Sequence, residues 1–216
     1  MTQQEVKAGL YKHALISIIR GGFSVSEMCQ IAGALQAGNI GLVEVTMNST
    51  HAVAGIKALK QQFGSDMLVG AGTVRTADDV SRAVEAGASY LITPNLNLDA
   101  VAEAQRLDTL IIPGVFTASE AQQAFVAGCS TVKLFPADAL GPAYLKALRA
   151  PLDHIDFAPS GGVNHETVAD FHRAGAVAYG VGSALVKNVD VTPGELGALT
   201  ERARVLHGAL EQARAQ

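Results

Sequence analysis

The sequence lacks several features that mark particular protein classes. It has no tryptophan and only two cysteines, Cys29 and Cys129, which excludes a disulfide framework. No stretch reaches the roughly 18 uninterrupted apolar residues of a membrane-spanning helix. Lysine and arginine are scattered, with no basic patch interleaved with aromatic residues, so we expect neither a membrane nor a nucleic-acid partner. The N-terminus lacks a basic start followed by an apolar core, so we expect no signal peptide and a cytoplasmic location.

Several common catalytic motifs are also absent. The six histidines show neither HxH nor HExxH spacing, so we expect no metal site and no cofactor of that kind. No GxSxG motif indicates a serine hydrolase, and no GxGxxG motif indicates a dinucleotide-binding sheet. The chemistry therefore has to lie in residues that these motifs do not cover.

The composition is that of a folded protein rich in glycine. The 216 residues are 49% hydrophobic and 17% charged, which excludes intrinsic disorder and fits a single domain over residues 1–216. Many of the 22 glycines lie in pairs or near the ends of apolar runs. Such glycines are typical of tight turns that bring backbone amides close to a phosphate group.

Short apolar or β-branched runs alternate with amphipathic stretches along the whole chain. The runs predict strands over 14–20, 40–46, 67–72, 89–93, 109–114, 130–135, 155–162 and 177–183. The stretches predict helices over 24–37, 50–63, from 76, and over 98–106, 119–127, 142–149 and 165–174. A loop over 188–193 precedes a terminal helix from about 193, which we interpret as a helix that caps the barrel.

Eight strand–helix units in this order predict a parallel sheet with right-handed crossovers, and the number favours a (β/α)8 TIM barrel. An Ala-Gly pair closes every second unit, at Gly38, Gly87, Gly128 and Gly175, where each glycine suits a left-handed helix end. The alternative, a doubly wound open sheet, fits fewer strands.

In a barrel the active site lies at the C-terminal ends of the strands, and two charged residues stand out there. Lys133 lies in the otherwise apolar run TVKLF, and Glu44 lies in LVEVT. Burying either charge is costly, which favours a catalytic role for both residues. The alternatives are that Lys133 lies at the end of its strand with its ammonium group paired or in solvent, or that the two residues form a purely structural ion pair. Strand alternation directs Glu44 inward with Leu42 and Thr46, so the two groups can meet.

Glycine clusters mark two further strand ends. Ser160-Gly161-Gly162 and Gly180-Val181-Gly182-Ser183 follow the seventh and eighth strands, and each is predicted to lead into a helix. These are the usual places for a phosphate site in a barrel, because backbone amides and helix N-termini favour an anion. The alternative is that the glycines only form tight turns.

Nine short motifs together resemble one family over about residues 14–187. They are IIRG (18–21), EVTMNS (44–49), GAGT (70–73), TPN (93–95), IPG (112–114), KLFPA (133–137), GPAYLKAL (141–148), PSGGV (159–163) and GVGS (180–183). The chain resembles the 2-keto-3-deoxy-6-phosphogluconate (KDPG) aldolases, with their 6-phosphogalactonate (KDPGal) and 4-hydroxy-2-oxoglutarate (KHG) variants. The resemblance implies a TIM barrel.

The resemblance also implies roles for individual residues. Lys133 falls on the Schiff-base lysine and Glu44 on the general acid and base. The remaining positions are implied in carboxylate binding (Arg20, Thr73), the pocket (Asn48, Pro94, Phe135, Ser160) and phosphate binding (Gly161, Gly162, Gly182, Ser183). Asn48 stands where KDPG aldolases have arginine, and Asn48-Ser49 leans toward the KDPGal pattern, whereas Ser160 fits neither branch.

The resemblance implies a class I aldolase that reversibly cleaves a 2-keto-3-deoxy-6-phospho sugar acid to pyruvate and glyceraldehyde 3-phosphate. It implies a lyase of carbohydrate metabolism, of the Entner–Doudoroff type, that forms a homotrimer and needs no cofactor. Two alternatives stay open on the residues alone. One is a phosphate-binding barrel isomerase or epimerase without a Schiff base, and the other is a non-catalytic phospho-sugar-binding barrel.

Overall fold

A computed structural model describes residues 1–186 and 190–216, and within these ranges parallel strands alternate with helices. The strands are β1 Leu15–Ile19, β2 Leu42–Thr46, β3 Leu68–Gly72, β4 Tyr90–Ile92, β5 Leu110–Ile112, β6 Gly114–Val115, β7 Thr131–Leu134, β8 Asp156–Pro159 and β9 Tyr179–Val181. The helices are α1 Gln3–His13, α2 Val25–Ala37, α3 Ala52–Phe63, α4 Ala77–Glu85, α5 Leu98–Arg106, α6 Ala118–Val126, α7 Gly141–Arg149, α8 Val168–Arg173 and α9 Pro193–Arg214. A short 3-10 helix, Ala137–Ala139, precedes α7. None of these helices is long and apolar enough to cross a membrane.

The strands close into a (β/α)8 barrel, which confirms the predicted fold class. One sheet has the order β5-β4-β3-β2-β1-β9 and the other the order β6-β7-β8. The strands β5 and β6 are two halves of the fifth barrel strand, separated at Pro113, because proline has no N–H to donate to the ladder. A parallel bridge between Ser160 and Gly180 joins the two sheets on the other side.

Helix α1 closes the N-terminal end of the barrel and was not predicted. Its residues Val6 and Leu10 are buried in one apolar cluster with inward-facing strand residues such as Ile16 and Leu42. Only these two of its residues are fully buried, so the apolar stripe is too narrow to stand out. The capping box of Thr2 and Glu5 is the signal that could have located it.

Helix α9 begins at Pro193, as predicted, but it does not cap the barrel. It is the eighth helix of the outer ring and packs between α2 and α8. The hydroxyl of Thr200 donates to the carbonyl of Ala34 over 2.9 Å, which ties α9 to α2. The interpretation as a cap was therefore wrong, and the closing role belongs to α1. Residues 188 and 189 of the predicted loop lie outside the described residues.

All four repeated glycines lie at helix ends as predicted, and three of them have the predicted left-handed conformation. Gly87, Gly128 and Gly175 have φ angles between +91° and +96°, the left-handed conformation that suits a residue without a Cβ atom. Gly38 also ends α2, but its φ is −94°, and the left-handed residue there is Asn39 at +67°. Asparagine tolerates this region better than most residues, so the turn moves by one position.

Candidate active site

Glu44 lies in the middle of β2 and faces the barrel interior, as strand alternation predicts. Its neighbours Val43 and Val45 belong to the outer core, whereas Leu42 belongs to the inner cluster. Only 1% of Glu44 is exposed, and its Oε1 atom has no hydrogen-bond partner among the described residues. A buried carboxylate oxygen without a donor is costly, which marks the position as a functional one.

A glycine on the neighbouring strand β3 leaves the space that the Glu44 carboxylate occupies. Gly70 is the Cα partner of Glu44 on β3, and Gly72 lies two residues further toward the barrel mouth. A Cβ atom on Gly72 would lie 2.3 Å from Glu44 Oε1. The carboxylate therefore occupies the space that an inward side chain at position 72 would fill.

Lys133 reaches the same cavity from β7 and is 7% exposed. The cavity is narrow, and besides Glu44 and Lys133 its walls are Ile16, Ile92, Ile112, Ala158, Ser160 and Gly180. The Lys133 Nζ atom lies 4.7 Å from the centroid of the Phe135 ring, within the range of a cation–π contact. Among the described residues no carboxylate oxygen lies within 4.0 Å of Nζ, so the amine and Glu44 face each other without a closed ion pair.

Burial shifts both ionisable groups toward their neutral forms. Burial lowers the pKa of Lys133, the Glu44 carboxylate raises it, and the Arg20 guanidinium lowers it further. Burial raises the pKa of Glu44, and the positive charges of Lys133 and Arg20 oppose that shift. A depressed lysine pKa provides free amine for nucleophilic attack, and a raised glutamate pKa suits proton transfer. In residues 1–186 and 190–216 no three His, Cys, Asp or Glu side chains are grouped so that they could hold a metal ion.

Arg20 and Thr73 meet at the rim of the barrel. Arg20 follows β1, and its Nη2 atom donates to Thr73 Oγ1 over 3.3 Å. Thr73 follows β3 with a φ of +53°, which is uncommon for a β-branched residue and characteristic of functional turns. The Arg20 side chain is exposed and has no carboxylate within 4.0 Å among the described residues. Its remaining N–H groups can therefore bind the carboxylate of a ligand.

The other predicted pocket residues differ in whether they line a cavity of the described residues. Phe135 is 37% exposed. Together with Arg20 it lines a second, wider opening at the mouth of the barrel. Asn48 is exposed in the turn after β2, and Pro94 is half-buried against the backbone of Gly114. Of the cavities described in residues 1–186 and 190–216, neither the narrow one nor the wider one is lined by Asn48 or Pro94. Their part in binding stays a prediction.

Ser160 connects the narrow cavity to a wider opening of about 640 Å³ at the barrel mouth. Its side chain lines both spaces and is 3% exposed. A Cβ atom on Gly180 would lie 2.6 Å from Ser160 Oγ, so the hydroxyl depends on that glycine for its place. A substrate that spans both spaces has to pass this hydroxyl.

The two glycine clusters line the wider opening, as predicted. Gly161 and Gly162 have φ angles of +103° and +69°, and a Cβ atom on Gly162 would lie 2.6 Å from Cβ of Asp138. The backbone N–H groups of residues 162, 163 and 182–184 donate to no acceptor within the described residues. Unpaired N–H groups gathered around one opening suit an anion such as a phosphate group.

The helices expected to begin at these loops do not begin there. Helix α8 starts only at Val168, after a turn in which Asn164 Oδ1 accepts from the amides of Glu166 and Thr167. After Gly182 the amides of Leu185 and Val186 bond back to the Gly182 carbonyl in a single turn. In the described residues the donors near the opening are thus loop amides, and no helix dipole adds to them.

Sequence reasoning missed the residues that shape the cavity around the two charges. Gly70 and Gly72 on β3 were quoted only within the GAGT motif and given no role, and Tyr90 on β4 was not singled out, although all three face the barrel interior beside Glu44. The spacing of the two glycines, two residues apart on one strand, was the available signal, because it leaves one strand face without side chains.

Comparison with known proteins extends over most of the chain. Residues 6–201 match the family described as KDPG and KHG aldolase. A 2-dehydro-3-deoxy-6-phosphogalactonate aldolase of Escherichia coli (strain K12) is 35% identical over 178 residues, which cover 82% of this chain and 86% of the relative. The family assignment therefore does not rest on a short motif.

Two solved structures share the fold of this chain. One, described as native KDPGal structure, has a TM-score of 0.87 at 30% identity and covers 94% of this chain and 96% of its own. The other is a KDPG aldolase from Legionella pneumophila with pyruvate captured at low pH as a covalent carbinolamine intermediate. Its TM-score is 0.82 at 28% identity, covering 92% of this chain and 97% of its own. By sequence and by fold, this chain belongs to the KDPG and KHG aldolase family.

Proposed function

We propose that this chain is a class I aldolase that reversibly cleaves a 2-keto-3-deoxy-6-phospho sugar acid, of the gluconate or galactonate type, to pyruvate and glyceraldehyde 3-phosphate. The observation that carries the proposal is that the buried Lys133 amine faces the buried Glu44 carboxylate in one cavity, and that Glu44 Oε1 has no hydrogen-bond partner among the described residues. Covalent capture of pyruvate by a KDPG aldolase of the same fold supports the same chemistry here.

The reaction begins with attack of the free Lys133 amine on C2 of the keto acid. One proton transfer, from nitrogen to oxygen, gives a carbinolamine. A second transfer protonates its hydroxyl group, which leaves as water, and a protonated imine remains. Glu44 faces Lys133 across the cavity. It therefore accepts and donates these protons as the general base and acid, either directly or through one water molecule. The apolar walls contributed by Ile16, Ile92 and Ile112 help to keep the amine unprotonated.

Cleavage follows when Glu44 takes the proton of the C4 hydroxyl. The C3–C4 bond breaks, C4 becomes the carbonyl carbon of the leaving aldehyde, and the electron pair moves into the iminium to give an enamine. Glu44 then returns its proton to C3, and water hydrolyses the imine to release pyruvate and the free Lys133 amine. The iminium is the electron sink, so the steps balance without a cofactor.

The remaining predicted residues bind the two ends of the substrate. Arg20 and Thr73, joined at the rim, orient the pyruvyl carboxylate by charge-assisted and neutral hydrogen bonds. The amides around Gly161, Gly162, Gly182 and Ser183 receive the phosphate in the wider opening. The pocket between these ends is assigned to Asn48, Pro94, Phe135 and Ser160.

We also propose that residues 1–216 form one domain and that the protein is a cytoplasmic homotrimer of carbohydrate metabolism. Membership of the family supports this proposal. Exposed large apolar residues, Val126 and Leu140 among them, offer surface for association. Sedimentation equilibrium tests the assembly, because a trimer has three times the 22.3 kDa mass of the chain.

Borohydride trapping tests the reaction class. The protein is incubated with pyruvate and sodium borohydride and then digested. The mass of the peptide that contains Lys133 is measured by mass spectrometry. We expect a reduced pyruvyl adduct on Lys133, no adduct in Lys133→Met, and a normal adduct in Lys57→Met, which changes an exposed lysine on α3. An adduct on another residue, or none, would refute the Schiff base and favour the isomerase or the binding protein.

Substrate screening tests the sugar acid. Initial cleavage rates are measured for the gluconate and galactonate epimers, each with and without the 6-phosphate. We expect the phosphorylated acids to have the lower KM, because loop amides with no acceptor in the described part of the chain line the wider opening. Equal KM values with and without the phosphate would contradict the assignment of that opening.

A further inference from the structure

Two glycines on the inner face of β3 leave spaces that side chains from neighbouring strands fill. Gly70 and Gly72 face the barrel interior together, since residues two apart on a strand share a face. A Cβ atom on Gly70 would lie 2.4 Å from ring carbons of Tyr90, and one on Gly72 would lie 2.3 Å from Glu44 Oε1. The Tyr90 ring and the Glu44 carboxylate are therefore stacked along β3, with the ring on the side away from the mouth.

Tyr90 is held rigidly in this place. It is fully buried on β4, and its hydroxyl donates to the carbonyl of Val43 over 2.8 Å. Val43 is the residue immediately before Glu44 on β2. The ring belongs to the inner apolar cluster that Leu10 of α1 closes from below. Tyr90 thus separates the Glu44 carboxylate from the lower half of the barrel.

We propose that Tyr90 is a positioning residue for Glu44, because the Tyr90 ring forms the floor beneath the Glu44 carboxylate. The floor directs the carboxylate toward the mouth and closes the path by which water would reach it from below. Tyr90 lines neither the narrow cavity nor the wider opening, so it acts through Glu44 and not on the substrate. This role rests on the proposed function, in which Glu44 moves protons.

The charges around Glu44 fix the direction of the expected effect. Burial raises the pKa of Glu44, and the positive charges of Lys133 on β7 and Arg20 after β1 oppose that shift. Burial and the Glu44 charge also raise the pKa of Tyr90, which keeps its hydroxyl a donor. Without the ring, a water would find two acceptors in the vacated space, Glu44 Oε1 and the Val43 carbonyl. Hydration of the carboxylate would lower the pKa of Glu44.

Exchange of the pyruvate methyl protons in D2O, followed by NMR across a range of pH, tests the role. Exchange needs the imine on Lys133 and a base that takes a proton from C3, and it needs no aldehyde. In Tyr90→Ala we expect the midpoint of the acidic limb to fall by about 1 pH unit, because ionised Glu44 is the active form. We expect the plateau rate to fall about tenfold as the carboxylate loses its fixed direction. Tyr90→Phe keeps the ring, so it should match the wild type within about 0.3 pH unit.

Borohydride trapping of pyruvate at Lys133 separates this role from general damage and from failure of the proposed function. Trapping should persist in all folded variants, and thermal unfolding shows which variants fold. If Tyr90→Ala does not fold, Tyr90→Val, which suits a strand, replaces it with the same expectation. The proposed role of Tyr90 is refuted if the pH midpoint and the plateau rate of exchange are unchanged in Tyr90→Ala or Tyr90→Val. It is also refuted if Tyr90→Phe shifts the midpoint by as much as these variants do. A wild-type protein that neither traps nor exchanges pyruvate overturns the proposed function instead.

Discussion

Replacing Gly72 by alanine displaces the Glu44 carboxylate and leaves Lys133 in place. The added Cβ atom would lie 2.3 Å from Oε1 and 2.6 Å from Cδ of Glu44, closer than the 3.0 Å that real Cβ contacts keep. Gly72 does not have a positive φ, so alanine is accepted by the backbone, and the strain falls on the contact. The carboxylate has to move by at least 0.7 Å to restore a 3.0 Å contact.

A displacement of this size has a large effect on the proton transfer. Misplacing a reacting group by about 1 Å costs on the order of 100-fold in rate. That factor is about 2.7 kcal/mol of lost transition-state stabilisation. We therefore expect kcat for cleavage to fall roughly 100-fold in Gly72→Ala. The measurement is the steady-state rate of pyruvate release, with borohydride trapping as the probe that Lys133 still reacts.

The matched control is Gly197→Ala, which adds the same atom in α9 at a position where no heavy atom of residues 1–186 and 190–216 lies within 4 Å of the new Cβ. It should leave kcat unchanged and stabilise the fold by roughly 0.5–1 kcal/mol, because alanine favours a helix interior. A kcat for Gly72→Ala within about threefold of the wild type, in a folded protein, would refute the reasoning.

Three further substitutions test other parts of the site and of the core. In Glu44→Gln the pKa of Lys133 should fall further, because the Glu44 charge raises it, so the midpoint of pyruvate trapping against pH moves down; an upward move contradicts this. In Gly162→Ala the backbone would be strained, because φ is +69°, and the new Cβ atom would meet Asp138. We expect KM for the phosphorylated acid to rise about tenfold or more while pyruvate trapping stays unchanged. An unchanged KM would show that this loop does not bind the phosphate. In Ser17→Ala the free energy of unfolding in urea should rise by about 1 kcal/mol, since the buried Ser17 hydroxyl has no partner among the described residues, and a loss of stability shows a contact not recognised.

The eight barrel strands could be predicted because each one carries its own local signal. An apolar run of five or so residues between turn residues reads as a buried strand whatever its neighbours are. Helix α1 had only the Thr2–Glu5 capping box and two buried residues, too little against a polar background. The break of the fifth strand at Pro113 was also visible in principle, because proline cannot join a ladder.

The pair of Lys133 and Glu44 was accessible to sequence reasoning because a charge within an apolar strand violates the usual pattern. The contacts that hold the pair were not accessible in the same way. That Gly72 makes room for Glu44, and Gly70 for Tyr90, depends on the register between β2, β3 and β4. Register is a property of the closed sheet, and no single strand carries it. The cavity therefore had to be read from the structure.

The position of the two charges links the catalytic chemistry to the packing of the whole barrel. Below them the interior is filled with apolar side chains, from Leu10 of α1 up to Tyr90, and this filling keeps water away from Glu44. Burying two ionisable groups destabilises the fold unless the surrounding core compensates. The same core shifts the pKa of Lys133 downward and that of Glu44 upward. A loosened lower barrel would therefore hydrate the pair and return both pKa values toward their ordinary ranges before the strands separate.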